Sequence, residues 1–260
     1  MSDIKIKEKN FKSGNYSPDT IIEPYSLFAV YYDDVLDYLD FNLWSNYIKR
    51  AAKKFLISGH KVLEIASGTG HLYSLLSEHF VVTPSDNSTQ MMEQAKRNYP
   101  DIDISYIDMK NFKTIDTYDI VVSFNDNINY LLNKEELSSH FESVYNCLNK
   151  NGMFIFDCTP LYNIKKNFNN KVLLKEVEGA VLRWHNSLKE EENLVYATVD
   201  IFNKDNGEIY REVHTQRIHS SNMISNLLKK TGFKNIQHYD GFSFKKAKSK
   251  SEHDHFIAFT

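Results

Sequence analysis

From His60 to Asp157 short apolar runs alternate with amphipathic stretches, and few folds accept that rhythm. His60–Ile65, Phe80–Pro84, Ile102–Ile107, Asp119–Phe124 and Gly152–Asp157 read as strands. The stretches His71–His79, Ser88–Asn98 and Lys134–Leu148 read as helices between them, with Ser88 as an N-cap and Asn151-Gly152 as a helix stop. Asp119–Phe124 is apolar throughout, as a central parallel strand is. The pattern predicts an α/β fold, a doubly wound Rossmann-like parallel sheet. Past Thr159 the rhythm breaks. Alternating segments within 171–218, with Asp205-Asn206-Gly207 as a tight turn, predict an inserted small antiparallel β-sheet. Ser221–Lys230 then reads as a helix, and two strands follow near Ile236–Phe242 and Asp254–Phe259.

The first strand runs into Ala66-Ser67-Gly68-Thr69-Gly70. Glycines at a strand-to-helix bend permit a tight turn, and they also let a ligand approach the backbone beside a helix N-terminus. Asp86 closes the second strand, 86 − 64 = 22 residues after Glu64, where an acid can accept from both hydroxyls of a ribose. Nicotinamide enzymes use the same device. Two features favour adenosylmethionine over them: Tyr73 stands where the dinucleotide fingerprint has its third glycine, and Glu64 puts a carboxylate near a cofactor's ammonium group.

On these residues the chain resembles the class I S-adenosylmethionine-dependent methyltransferases, and the resemblance extends over 25–260. Glu64–Gly70 is similar to their first motif, with Ala66 and Ser67 in place of the usual glycine and cysteine. Ser85–Met92 resembles their Asp-x-Ser-x-x-Met segment, Asp108-Met109 the pair beside adenine, and Asn125–Leu131 the Asp-x-x-Asn-Tyr-Leu motif after strand four. Phe28–Asp33, with Trp44 and Tyr47, resembles an N-terminal helical lid, and Glu212–Arg217 a Glu-x-His-x-x-Arg strand of the insertion. The branch most similar is bacterial and small-molecule. It includes nucleotide-linked amino-sugar N-methyltransferases and glycine/sarcosine-type enzymes.

The resemblance implies S-adenosyl-L-methionine as cofactor and S-adenosyl-L-homocysteine as its product. It implies that Ala66, Ser67, Gly68 and Gly70 pack on the methionyl part, that Glu64 orients its amino group and that Asp86 holds the ribose. Asn87 or Met91 would border the adenine, Asp108 and the Met109 N–H would read its edge, and Asn125 would lie near the methionyl group. Tyr32 and Trp44 are the lid aromatics expected to face the sulfonium. Asp126, Tyr130 and His214 are candidates for catalysis. A phenol titrates near ~10, so Tyr130 suits orienting an amine, whereas His214 suits deprotonating a hydroxyl. Arg211 and Arg217 are candidates for binding a phosphate or carboxylate of the substrate.

The expected organisation is an N-terminal arm over 1–20 and one methyltransferase domain over 21–260. That domain divides into a helical lid (21–55), cofactor-binding core (56–160), inserted sheet (161–220) and a C-terminal helix and strands (221–260). With 31 basic and 34 acidic residues the formal charge is −3, which offers no footprint for nucleic acid. The acceptor is therefore expected to be a small polar metabolite, methylated on N or O. A macromolecular acceptor is the alternative, and a nicotinamide oxidoreductase a remoter one. The N-terminus has no secretory signal and no run approaches membrane-spanning length, so a cytoplasmic monomer or homodimer without membrane contact is expected. Cys147 and Cys158 lie in apolar segments as buried thiols. His253-x-His255 has metal-like spacing but no third ligand, and no metal is expected. The lysines at 245, 246, 248 and 250 read as a solvated loop or a contact to an anionic substrate.

Overall fold

The computed structural model describes residues 3–260. The chain begins with α1 (Asp3–Ser13), β1 (Thr20–Ile22), α2 (Phe28–Val35) and α3 (Phe41–Lys54). It continues through β2 (Lys61–Ile65), α4 (His71–Ser77), β3 (Val81–Asp86), α5 (Thr89–Asn98), β4 (Ser105–Tyr106) and β5 (Tyr118–Ser123). Next come α6 (Lys134–Cys147), β6 (Leu148–Cys158), the single turn α7 (Leu161–Asn163), β7 (Val172–Val177), β8 (Ala180–Lys189), β9 (Leu194–Asn203) and β10 (Ile209–Arg217). The chain closes with α8 (Ser221–Thr231), β11 (Lys234–Asp240) and β12 (Asp254–Phe259). It divides into two compact units: the segment up to Tyr38 with Ile164–Gln216, and Leu39–Asn163 with Arg217–Thr260.

The larger unit is built on a seven-stranded sheet in the order β11-β12-β6-β5-β2-β3-β4. The strands β2 to β6 pair in parallel, while β12 runs antiparallel to β6 and β11 antiparallel to β12. The period-two pattern of the strands separates two cores. Ile120, Val122 and Ile155 pack with Trp44, Tyr47, Ile48, Leu72 and Leu76 on one face. Val121, Phe154 and Phe156 pack with Leu137, Phe141, Ile224 and Leu228 on the other. The winding direction reverses between β2 and β5, so the crevice outside their carboxyl ends is the place where such sheets hold ligands.

Local details differ from the sequence expectation. The third strand shrinks to Ser105–Tyr106, because an edge strand needs only its pairs with Ser85 and Asp86, while Ile102 and Ile104 turn inward onto Ala95. Asn151-Gly152 does not stop a helix. α6 ends at Cys147, and Asn151, at φ 62°, makes a bulge inside β6, where pairing jumps from Tyr118↔Leu148 to Ile120↔Met153.

In the smaller unit the sheet order is β1-β10-β9-β8-β7, with β7–β8 and β8–β9 antiparallel and Gly207 in the turn before β10. The sheet is not wholly antiparallel, since β1 adds to β10 in parallel. Nor is the segment before Asp19 a loose arm: α1 buries Phe11 against Val181, Phe202 and Ile209, and Lys7 pairs with Asp19 at 2.7 Å. A single large ring in a polar stretch is enough to anchor it. The expected lid is divided at Tyr38, with α2 in this unit and α3 in the larger one.

Candidate active site

The apolar run Val62–Ile65 drives β2 into the middle of the sheet and carries Glu64 with it, to 3% exposure. Burial, followed by the nearby Asp86, pushes its carboxyl up to about 8, while the Ser67 hydroxyl pulls the other way. Its Oε2 is buried with no hydrogen-bond partner. Two serines staple the bend that follows. The Ser67 N–H donates to the Ser85 carbonyl at 2.8 Å, the Ser85 N–H to Ser67 Oγ at 3.0 Å, and both hydroxyls donate to the Glu64 carbonyl. Ala66 (φ 56°), Gly68 (56°) and Gly70 (86°) are all left-handed.

The two glycines serve different ends. A Cβ on Gly70 would meet Tyr99 at 3.0 Å and Ile102 at 3.2 Å, so that glycine makes room for packing. A Cβ on Gly68 would meet nothing within 4 Å, so that glycine borders open space. Asp86 grips the same bend. Its Oδ2 accepts the Gly68 N–H and its Oδ1 the Ser88 N–H, both at 2.8 Å, and burial raises its carboxyl. The Asn87 N–H is a third backbone donor to the same carboxyl. Of the two candidates for bordering adenine, Met91 is buried and Asn87 is exposed.

Beyond β4, Asp108 folds back to accept the Lys110 N–H at 2.9 Å. The Met109 carbonyl accepts from Nδ1 of His140 at 2.8 Å, and Ser143 Oγ accepts the Phe112 N–H at 3.1 Å. Thus α6 holds this loop at two points. Burial drives His140 down to about 4, which keeps the ring neutral with its hydrogen on Nδ1. The sequence reading passed over His140. Its signal was a His and a Ser three residues apart on the apolar Leu137–Phe141–Val144 face of a helix.

Across the switch point, Asn125 and Asp126 leave β5 in left-handed conformations (φ 69° and 63°). The Asn127 side chain reaches back to donate to the carbonyls of Phe124 (2.6 Å) and Ala66 (3.3 Å), tying this loop to the glycine bend. Asp126 Oδ2 accepts the Thr159 hydroxyl at 2.6 Å, and the Asp126 N–H donates to Asp157 Oδ1 at 2.8 Å. Asp157, also absent from the sequence reading, accepts the Trp44 indole N–H on Oδ2 at 3.2 Å. Burial raises both carboxyls, that of Asp157 to about 7 with Asp126 adding to the effect. Trp44 is buried between Phe41 and Phe242 with its N–H committed to Asp157, so it is a core residue that positions an acid. Tyr130 is half-buried at the end of the 127–130 turn. Arg217 is tied to the same segment, its Nε–H donating to the Leu132 carbonyl.

Three of the expected site residues belong to the smaller unit. Tyr32 lies edge-on to Phe28, ring centres 5.5 Å apart. Arg211 is held by Asp200 through two bonds of 2.6 and 2.8 Å, with the Tyr16 hydroxyl donating to the same carboxylate. Its cation is used in the fold, which removes the expected anion binder. His214 places Nε2 3.2 Å from Glu212 Oε2. Glu212 is fully buried and accepts the backbone N–H groups of Tyr25, Leu27 and Phe28 at 2.6–2.8 Å. This carboxylate pins the start of α2 to β10, with Tyr25 strained at φ 64°. Among the described residues no helix is long and apolar enough to cross a membrane.

Residues 62–152 match the family described as a methyltransferase domain. A relative from Geobacillus sp. (strain WCH70) carrying a provisional methyltransferase name is 25% identical over 243 residues, 90% of this chain and 98% of its own. Another from Bacillus subtilis (strain 168), YqeM, likewise provisionally named, is 28% identical over 217 residues, 80% of this chain and 86% of its own. Among solved structures, an S-adenosylmethionine-dependent methyltransferase from Clostridium acetobutylicum ATCC 824 superposes with TM-score 0.78 at 24% identity, over 90% of this chain and 98% of that one. The sugar N-methyltransferase KedS8 from Streptoalloteichus sp ATCC 53650 does so with TM-score 0.72 at 17% identity, over 94% and 95%.

Proposed function

We propose that this chain, a class I methyltransferase by its domain and its fold, uses S-adenosylmethionine to methylate an N or O nucleophile of a small polar metabolite. The observation that carries the reading is the end of β2. There Glu64, with a buried oxygen that has no partner, and Gly68, whose missing side chain leaves open space, stand beside Asp86. A ligand bringing an ammonium group and a diol fits that donor-poor, acceptor-rich corner. When bound, the cofactor supplies an electrophilic methyl group on a sulfonium.

The residues divide the remaining work. Glu64 would take the amino group and Asp86 the ribose hydroxyls. Gly68 lets the backbone close on the ligand. Asp108 and the Met109 N–H would read the adenine edge, with His140 holding the loop. Asp126, beside Asn125 at the end of β5, would meet the acceptor. Neighbours whose names call them sugar or amino pentose methyltransferases support a small acceptor, as does the balance of 31 basic against 34 acidic residues. Calorimetry with S-adenosylhomocysteine tests the reading. Binding by the native chain that disappears in Asp86→Ala is expected. Unchanged affinity in the variant, or a response to a reduced nicotinamide nucleotide instead, rejects it.

A further inference from the structure

The geometry points to Asp126 and Asp157 as a carboxylate pair that receives the acceptor as a protonated amine and takes its proton. Both acids stand at the carboxyl ends of adjacent parallel strands, Asp157 near the end of β6 and Asp126 just after β5. They are joined through the Asp126 backbone N–H on Asp157 Oδ1. Three of the four carboxylate oxygens have a donor: Thr159 on Asp126 Oδ2, the Asp126 N–H and the Trp44 indole on the two oxygens of Asp157. The fourth, Asp126 Oδ1, is buried without one. A buried, unpaired acceptor calls for a donor from outside the chain.

The charge of that donor follows from what surrounds it. Two carboxyls raised by burial gain little from a neutral hydroxyl and much from a cation. The neighbouring groups on β12, Asp254 and His255, are a third acid, itself buried, and a histidine driven down to about 3. The Thr159 hydrogen bond, and after it His253, act on Asp126 in the opposite sense. An ammonium satisfies Oδ1 and offsets the repulsion between the acids. Transfer of one proton from its nitrogen to Asp126 leaves a neutral amine with a free lone pair and a neutral carboxylic acid, so charge and atoms balance. That lone pair is what methylation requires. The inference rests on the methyltransferase reading and narrows its acceptor from N or O to an amine.

Trp44 reports on the pair through its bond to Asp157. In a Trp184→Phe background it is the sole tryptophan, because the chain has two. Titrating ethanolammonium in the presence of S-adenosylhomocysteine is expected to shift the Trp44 emission saturably. Ethylene glycol and inorganic phosphate are expected to leave it unchanged. Asp126→Asn should weaken the ethanolammonium response about tenfold, the loss of one charge-assisted hydrogen bond. Its affinity for S-adenosylhomocysteine should stay at the native value. If Asp126→Asn fails to fold, Asp126→Glu, which keeps the charge but moves it, is expected to show the same weakening. An equal response to ethylene glycol or phosphate, none to ethanolammonium, or an undiminished one in the folded variant overturns the proposal. Failure of the native chain to bind S-adenosylhomocysteine sinks the methyltransferase reading instead, and the ethanolammonium titration without it still decides whether the pair binds an amine.

Discussion

Replacing Glu64 with Gln should make the ligand-free protein more stable as pH rises, by an amount the structure sets. The carboxyl moves from an ordinary 4.5 to about 8 on folding. Below pH 4.5 it is protonated in both states and has no effect. Between 4.5 and 8 the folded chain keeps a proton that the unfolded chain has released, so stability falls as pH rises through that window. At pH 7 the penalty spans 7 − 4.5 = 2.5 decades, or about 3 kcal/mol at roughly 1.4 kcal/mol each. Glutamine has almost the same shape and no proton to lose. For a chain of this size about 3 kcal/mol corresponds to about 6–12 °C in Tm. Melting both proteins from pH 5 to pH 9 should therefore show nearly coincident Tm values at the acid end and a gap opening toward neutrality. Asp126 and Asp157 titrate in both proteins and drop out of the difference, whereas Asp86, which repels Glu64, is itself relieved in the variant and adds to the gap in the same direction. An ammonium facing Glu64 stabilises its charged form, so S-adenosylhomocysteine should narrow the gap and bind the native chain more tightly at pH 8 than at pH 6. A gap that does not change with pH would refute the placement of an uncompensated acid at the end of β2.

Four further substitutions separate parts of the site from parts of the fold. Gly68→Ala places an L residue at φ 56° at a cost of about 1–2 kcal/mol, so its Tm should drop by a few degrees while calorimetry shows more than about tenfold weaker S-adenosylhomocysteine binding. Gly70→Ala adds contacts at 3.0 and 3.2 Å to the same backbone penalty, and its melting loss should be clearly the larger of the two. His140→Leu strands the buried Met109 carbonyl, so affinity for S-adenosylhomocysteine is expected to fall with a destabilisation of about 1–3 kcal/mol in urea unfolding. Glu212→Gln removes the charge that collects three backbone N–H groups and His214, and proteolysis near Tyr25–Phe28 should quicken while the melting point drops.

Much of the cofactor end was legible because it is local. A glycine bend after a buried strand, and an acid closing the next strand, lie on short stretches whose chemistry survives being read alone. Ser88 capping α5 was legible for the same reason. The groups that hold those stretches in place were not. His140 and Ser143 lie about thirty residues beyond the loop they grip, and a helix face shows only that a polar residue sits among apolar ones. Asp157 closes a strand as Asp86 does, but nothing in its own segment announces Trp44, 113 residues earlier, or the Asp126 backbone. Arg211 and Arg217 misled for the converse reason. A strand with two arginines looks like an anion site until Asp200 and the Leu132 carbonyl are found opposite them.

That pattern bears on what the protein methylates. The sequence offers arginines and lysines, which suggest an anionic substrate. The folded larger unit engages Arg217 through the Leu132 carbonyl and leaves two buried acceptors without donors near the carboxyl ends of the strands, Glu64 Oε2 and Asp126 Oδ1. Two orphaned oxygens of the same kind, one after β2 and one after β5, flank the switch point where Asn127 ties the loops together. Both call for hydrogen-bond donors, and the two ligands of an amine methylation would each bring one: an amino-acid ammonium on the methyl donor and an ammonium on the acceptor. A hydroxyl acceptor could hydrogen-bond the second oxygen but would bring no positive charge to the pair of acids. On that ground the proposed acceptor atom is nitrogen and not oxygen.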